Sequence, residues 1–216
     1  EARVLRDNSC HLDNIRWAAM AQNCCWQGCL VIPAFDESFQ GLQKQIQSIA
    51  DDQVLMILVI NAPEKARQEA LERTQELYEQ MTTEQHGHVL VVDRISTSRR
   101  IHPKQGVGMA RKIGTDLALA LIEQGRIRSP WILQSDADVV FPPAYTNLVH
   151  QAAHQIQSGA KIFPHTHFSN DPTLHFAAQL YDKHMNYYVD GLRSAGSPYA
   201  HHSLGSTIAI HAMTYA

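Results

Sequence analysis

The chain has 216 residues, 18% of them charged, and a formal net charge of -3 at neutral pH. That length supports one α/β domain with a real core. So small a negative charge excludes capture of nucleic acid or an anionic membrane by bulk electrostatics, and any anion recognition must be local. No apolar run of about 18 residues occurs, and Glu1-Ala2-Arg3-Val4-Leu5-Arg6 lacks the apolar core of a signal peptide. A cytoplasmic protein with no transmembrane segment is expected.

Cys10, Cys24, Cys25 and Cys29 match neither paired C-x-x-C zinc knuckles nor a small secreted disulfide framework, and read as reduced, mostly buried thiols. Residues 1–27 form a polar, helical lead-in around Ile15, Trp17, Ala18 and Met20. Cys29-Leu30-Val31-Ile32-Pro33 is a buried strand closed by proline, and Phe35-Asp36-Glu37-Ser38 a turn. Leu42, Ile46 and Ala50 have helical spacing, and 54–60 is a second continuous apolar strand. Asn61-Ala62-Pro63 ends it and opens a helix with proline near its first turn, carrying Ala66, Ala70, Thr74, Leu77 and Met81 on one stripe.

A third strand over 88–92 leads into a basic loop over 94–105 with Arg94, Arg99, Arg100 and Lys104. The helix over 106–124 turns Met109, Ile113, Leu117 and Leu121 inward, and 131–134 is the fourth strand. Beyond it are expected a helix over 144–158, a strand over 161–163, a helix over 173–189, a loop over 191–204 and a strand over 205–210. Unbroken apolar strands alternating with helices specify an α/β fold with a mostly parallel sheet and helices on both faces. The chain begins with Glu and stops at Ala216 without a helix stop signal, so truncation at the C-terminus is expected.

Open α/β sheets bind ligands at the carboxyl ends of their strands. Pro33-Ala34-Phe35-Asp36-Glu37, Asn61, the basic loop and Asp136-Ala137-Asp138 all fall at such ends. On an extended backbone residues i and i+2 project to one side, so Asp136 and Asp138 crowd two like charges together. A cation between them relieves that cost, and hard oxygen ligands suit Mg²⁺ or Mn²⁺ with a bound diphosphate.

These residues, with Gly106-Val107-Gly108-Met109-Ala110-Arg111-Lys112-Ile113-Gly114, resemble the nucleotide-sugar half of family 2 glycosyltransferases of the GT-A fold. The helix is similar to the family's Gly-x-x-x-Ala-Arg-Asn-x-Gly run, with Lys112 in place of Asn. The resemblance implies a GT-A domain over 28–216 that moves a sugar from a nucleoside-diphosphate sugar to an unidentified hydroxyl acceptor, with inversion. By the same likeness Ala34, Phe35 and Asp36 line the nucleoside pocket, with Glu37 close by and Pro33 part of the same nucleotide-sugar site, and Asn61 stands where the family has an acidic residue touching the base. Arg111 reaches toward the diphosphate or braces the nucleotide-binding loop, and Lys104 lies in a basic loop suited to diphosphate binding. Asp138 coordinates the metal, and Asp136 meets the ribose or the metal's shell. The family's general base is usually the Asp of an acidic pair beyond the strand that 205–210 resembles, and no such pair follows it here, so the catalytic residue is unknown.

Blander readings stand beside these. Asp36 and Glu37 are also suited to capping the next helix, Asn61 to a turn, and Arg99, Arg100 and Lys104 to a solvated loop. Gly106-Val107-Gly108 fails as a dinucleotide fingerprint because Arg111 occupies the third glycine position. His150 and His154 lack the intervening Glu of a metalloprotease and read as a surface pair, while His165, His167, His201 and His202 lie in loops suited to acceptor or metal contact. Two alternatives remain: a non-catalytic nucleotide-sugar-binding module, and a sugar-phosphate nucleotidyltransferase, which requires a glycine-rich basic loop that 33–37 lacks.

Overall fold

A computed structural model describes residues 25–49, 51–84, 87–142, 144–150, 159–202 and 207–216. Most of the expected lead-in, Cys10, Cys24 and His154 lie outside them. The chain forms two compact units, Glu1–Ala160 with Ala209–Ala216, and Lys161–Ile208.

The first unit alternates strand and helix: β1 (Gly28–Ala34), α1 (Phe39–Ser48), β2 (Val54–Asn61), α2 (Gln68–Thr83), β3 (Val89–Arg94), α3 (Gly106–Glu123) and β4 (Trp131–Gln134). A 3-10 turn at Tyr145–His150 and strand β5 (Ala160–Ile162) follow. The second unit holds α4 (Pro172–Ser194), and the chain ends in β6 (Ile208–His211) and the one-turn α5 (Ala212–Tyr215). The sheet order is β3-β2-β1-β4-β6-β5, and β1 pairs parallel with both β2 and β4, as β2 does with β3. Phe163 N–H donates to Thr207 O and His211 N–H to Gly159 O, so β5 and β6 run antiparallel and the sheet is mixed, mostly parallel. The α/β class is the expected one.

Every residue of β1 and β2 is buried, as strands covered on both faces require. Alternation sends Cys29, Val31, Leu55, Ile57 and Val59 to one face, where Ala110, Ile113, Leu117 and Leu121 of α3 cover them. The intervening Leu30, Ile32, Met56, Leu58 and Ile60 are equally buried, and α1 and α2 bring Leu42, Ile46, Leu77 and Met81 to the core. Gly114 sets how closely α3 docks: a Cβ there would collide with Val31 Cγ1 and stand 3.0 Å from Val59 Cγ2. Burial pushes the Cys29 thiol up to about 12, so it packs as a neutral group, whereas Cys25 is exposed.

Several local expectations shift. Pro63 does not open α2; it forms an isolated parallel bridge with Ile101. α2 starts at Gln68, so Ala66 precedes it. The basic loop is not wholly irregular, because that bridge and a 3-10 turn at Thr97–Arg99 organise it. The helix expected over 144–158 is a 3-10 turn as far as His150, and 151–158 lie outside the described residues. α4 extends through Ser194, into the stretch read as loop. Among the described residues no helix is long and apolar enough to cross a membrane.

Candidate functional site

The chain steps from β1 out to β2 and β3, then returns to place β4 on the other side of β1. Such a reversal leaves a crevice at the carboxyl ends of the two flanking strands. A cavity of about 360 Å³ lies there, lined by Pro33 of β1, by Phe35 and Glu37 just beyond it, by Asn61 of β2, and beyond β4 by Asp136, Ala137 and Asp138.

The strand geometry explains the opening. The β1–β4 register ends at Val31↔Gln134, whereas β1 stays paired with β2 to Ala34↔Ile60. Val31 O accepts from Ser135 N at 3.1 Å, so Val31 and, two residues on, Pro33 aim their backbone groups toward β4. The N–H that proline lacks therefore falls where no β4 partner remains, and a proline inside a central strand costs no ladder bond.

Beyond Ala34 the backbone at Asp36 takes φ 62°, a conformation that favours glycine and that Asp tolerates better than most residues. Two contacts hold it: Asp36 N–H donates to Thr74 Oγ1 at 3.0 Å, and Arg73 grips the carboxylate through Nε–Oδ1 at 2.6 Å and Nη2–Oδ2 at 3.0 Å. The Arg73 hydrogen bond holds the Asp36 carboxyl below its usual range. Asp36 thus engages α2, does not line the cavity, and lets its neighbours Phe35 and Glu37 do so.

Glu37 is half-buried, and burial followed by the charges of Asp138, Asp36 and Asp136 raises its carboxyl above the ordinary value. Asp136 is ion-paired to Arg111 Nη2 from α3, and Arg111 Nε is buried with no partner among the described residues. Asp138 is exposed on the cavity wall. Asn61 lines the same cavity, is 6% exposed, and its Oδ1 has no partner among the described residues. A buried carbonyl oxygen without a donor costs about 1–3 kcal/mol, and Asn61 Oδ1 has the capacity to accept one N–H. Gly106 and Val107 begin α3 at the same cavity, and the N-cap residue Gln105 makes no side-chain capping bond, so this positive helix end is free to meet an anion.

The remaining predicted residues sit elsewhere. Ala34 is buried within β1, and Lys104 does not line the cavity. Arg99 is committed to Asp93 at 3.3 Å and Arg100 Nε donates to Ile95 O at 3.0 Å, so both brace their own loop. Lys112 pairs with Asp116 along α3 at 2.6 Å.

Gln45, Pro63, Ile101 and Val107 are site residues that sequence reasoning passed over. From α1, Gln45 Nε2 donates to Asp136 O at 2.8 Å and Val139 O at 3.0 Å, clamping both ends of the acidic turn. The one signal for it is a polar side chain one position before Ile46 on the buried face of α1, 4% exposed.

Among the described residues no three His, Cys, Asp or Glu side chains stand converged on a metal. A Mg²⁺ ion bound with a diphosphate takes only one or two protein carboxylates, the rest of its shell being phosphate and water, and Asp138 with Asp136 fit that smaller demand. No protein-family model matches the chain, and no curated protein matches it at the level that marks a relative.

Proposed function

We propose that the chain is a GT-A-type glycosyltransferase domain that binds a nucleoside-diphosphate sugar with Mg²⁺ or Mn²⁺ and passes the sugar to a hydroxyl acceptor. One observation carries the reading: three carboxylates, an acceptor-only amide oxygen, an aromatic ring and a free helix N-terminus share one cavity at the topological switch point. Phe35 and Asn61 suit the two faces of a nucleoside, the ring stacking on the base and the amide oxygen accepting from a base N–H. The start of α3 suits the diphosphate. Arg111 does not itself line the cavity, and its ion pair holds the Asp136 carboxylate at the cavity's edge.

Asp138, with Asp136 beside it, would hold the metal, which when bound stabilises the departing nucleoside diphosphate as a Lewis acid. Gln45 ties down the main chain at Asp136 and Val139, so the turn that carries both aspartates is held in place. Inversion fits the family likeness, and no residue is assigned as base.

The test is calorimetry with uridine, guanosine, adenosine and cytidine diphosphates, with and without Mn²⁺. One of them must bind more tightly with Mn²⁺, and Asp138→Ala must remove that increment while the fold survives. Unchanged affinity in Asp138→Ala defeats the metal assignment. Glycosyl transfer from the matching nucleotide sugar then separates an enzyme from a binding module.

A further inference from the structure

The unit Lys161–Ile208 carries a second cavity, of about 50 Å³, that the nucleotide reading leaves unused. His165, His167 and His202 line it from loop segments, and Tyr181, Asp182 and Asn186 from α4. No lysine or arginine lines it, so it is not built for a phosphate, and its one carboxylate is already engaged by a neighbour.

That carboxylate holds His167 in one tautomer. His167 Nδ1 lies 2.5 Å from Asp182 Oδ1, and the other oxygen accepts the His167 backbone N–H at 2.9 Å. A carboxylate only accepts, so Nδ1 carries the proton and Nε2 of the neutral ring keeps its lone pair. Burial opposes ionisation of Asp182, yet the hydrogen bonds from His167 hold its carboxyl below the ordinary value, so the negative charge that stabilises an imidazolium stays in place. Two rings meet the imidazole edge-on and fix its plane, His165 at 5.5 Å between centroids and Tyr181 at 5.2 Å. A base fixed in tautomer and plane is oriented for proton transfer before its partner arrives.

The cavity also supplies a donor. Asn186 Oδ1 accepts from His202 Nε2 at 2.9 Å, which leaves the amide's Nδ2 hydrogens for another partner. An acceptor nitrogen and an amide donor lining one cavity are the complement of a hydroxyl group, which gives one hydrogen bond and takes another. The size agrees: a water takes up about 30 Å³ of the liquid, so about 50 Å³ admits one hydroxyl with its carbon and not a sugar ring.

We propose, resting on the glycosyl-transfer reading, that this cavity takes the reacting hydroxyl of the acceptor, with His167 as the catalytic base and Asp182 as its positioning residue. In that step the acceptor oxygen bonds to the anomeric carbon, the bond from that carbon to the diphosphate oxygen breaks, and its electron pair leaves with the nucleoside diphosphate. The hydroxyl proton passes to His167 Nε2, and the imidazolium then releases it to solvent.

The hydroxyl probe is glycerol, supplied with Mn²⁺ and the nucleotide sugar that matches the nucleoside diphosphate bound. Wild type must release nucleoside diphosphate at a rate that rises with glycerol. His167→Ala must lower kcat at least about 100-fold while nucleotide affinity in calorimetry is unchanged, and added imidazole must restore part of the rate. Asp182→Asn must lower kcat and displace the acid limb of its pH profile, a limb that His167→Ala lacks. His150→Ala, whose ring instead pairs with Asp51 at 2.6 Å, leaves affinity and kcat unchanged. Nucleotide binding without glycerol-dependent release, or with equal release in His167→Ala, overturns the base. A protein that binds no nucleotide fails at the glycosyl-transfer reading and takes this step with it. NMR of the unsubstituted protein tests the cavity apart from turnover: glycerol must shift the His167 and Asn186 side-chain signals saturably, and signals that stay in place overturn the hydroxyl site.

Discussion

Asp93, at the end of β3, is the residue on which the basic loop turns. It is 7% exposed, and it accepts from Ile95 N–H at 2.9 Å, Ser96 N–H at 3.0 Å, Ser96 Oγ–H at 2.5 Å and Arg99 Nη1 at 3.3 Å. Truncation to alanine leaves two amides, a hydroxyl and a guanidinium whose side chain is 9% exposed without that carboxylate. Hydrogen bonds to a charged group contribute about 1.5–3 kcal/mol each, but relaxation and water entry limit the total to the about 3–5 kcal/mol typical of a broken buried pair. Against a whole stability of about 5–15 kcal/mol this is severe. With a urea m-value of about 2 kcal/mol/M, Asp93→Ala lowers the unfolding midpoint by about 2 M, followed by tryptophan fluorescence and circular dichroism. Asp93→Asn, which keeps an acceptor for the amides and loses the ion pair, falls between. A midpoint within about 0.3 M of wild type for Asp93→Ala refutes the account. The pH dependence supplies a second check. Burial opposes ionisation of Asp93, yet the Ser96 and Ile95 hydrogen bonds and the charge of Arg99 hold its folded carboxyl below the ordinary value. A depressed folded pKa gives stability that is present above the unfolded value of about 3.9 and is lost as pH falls through the folded one. The advantage of wild type over Asp93→Asn therefore shrinks below about pH 4.

Gln45→Met keeps the side-chain volume but leaves Asp136 O and Val139 O without their donor, and should cost about 1–3 kcal/mol in urea unfolding. It should also weaken Mn²⁺-dependent nucleotide binding more than metal-free binding; equal loss of both would mean that Gln45 acts only on the fold. Gly114→Val drives a branched side chain into Val31 and Val59, and overpacking of about 1–3 kcal/mol should appear as a lower melting temperature. An unchanged melting temperature would show that α3 docks less closely than the structure has it.

The sequence by itself determined the alternation of the first unit, because apolar runs at Cys29–Pro33, Val54–Ile60 and Trp131–Leu133 fit a sheet covered on both faces. It also placed Phe35, Glu37, Asn61, Asp136 and Asp138 at strand ends, and the structure brings these five to one cavity. Which side each side chain serves was decided only in three dimensions. Asp36 and Glu37 are adjacent carboxylates that look alike in one dimension, yet a positive φ and the reach of Arg73 from α2 send one to a helix and leave the other at the cavity. Arg99 and Arg111 likewise differ not in chemistry but in partner, Asp93 in one case and Asp136 in the other. Gln45 and Asp136 are 91 residues apart in the chain, and no local pattern announces a bond that exists only once α1 and the end of β4 have packed together. Periodicity encodes the burial of a face because burial depends on neighbours a turn or a pleat away, whereas pairing of polar groups depends on which strands the topology makes adjacent.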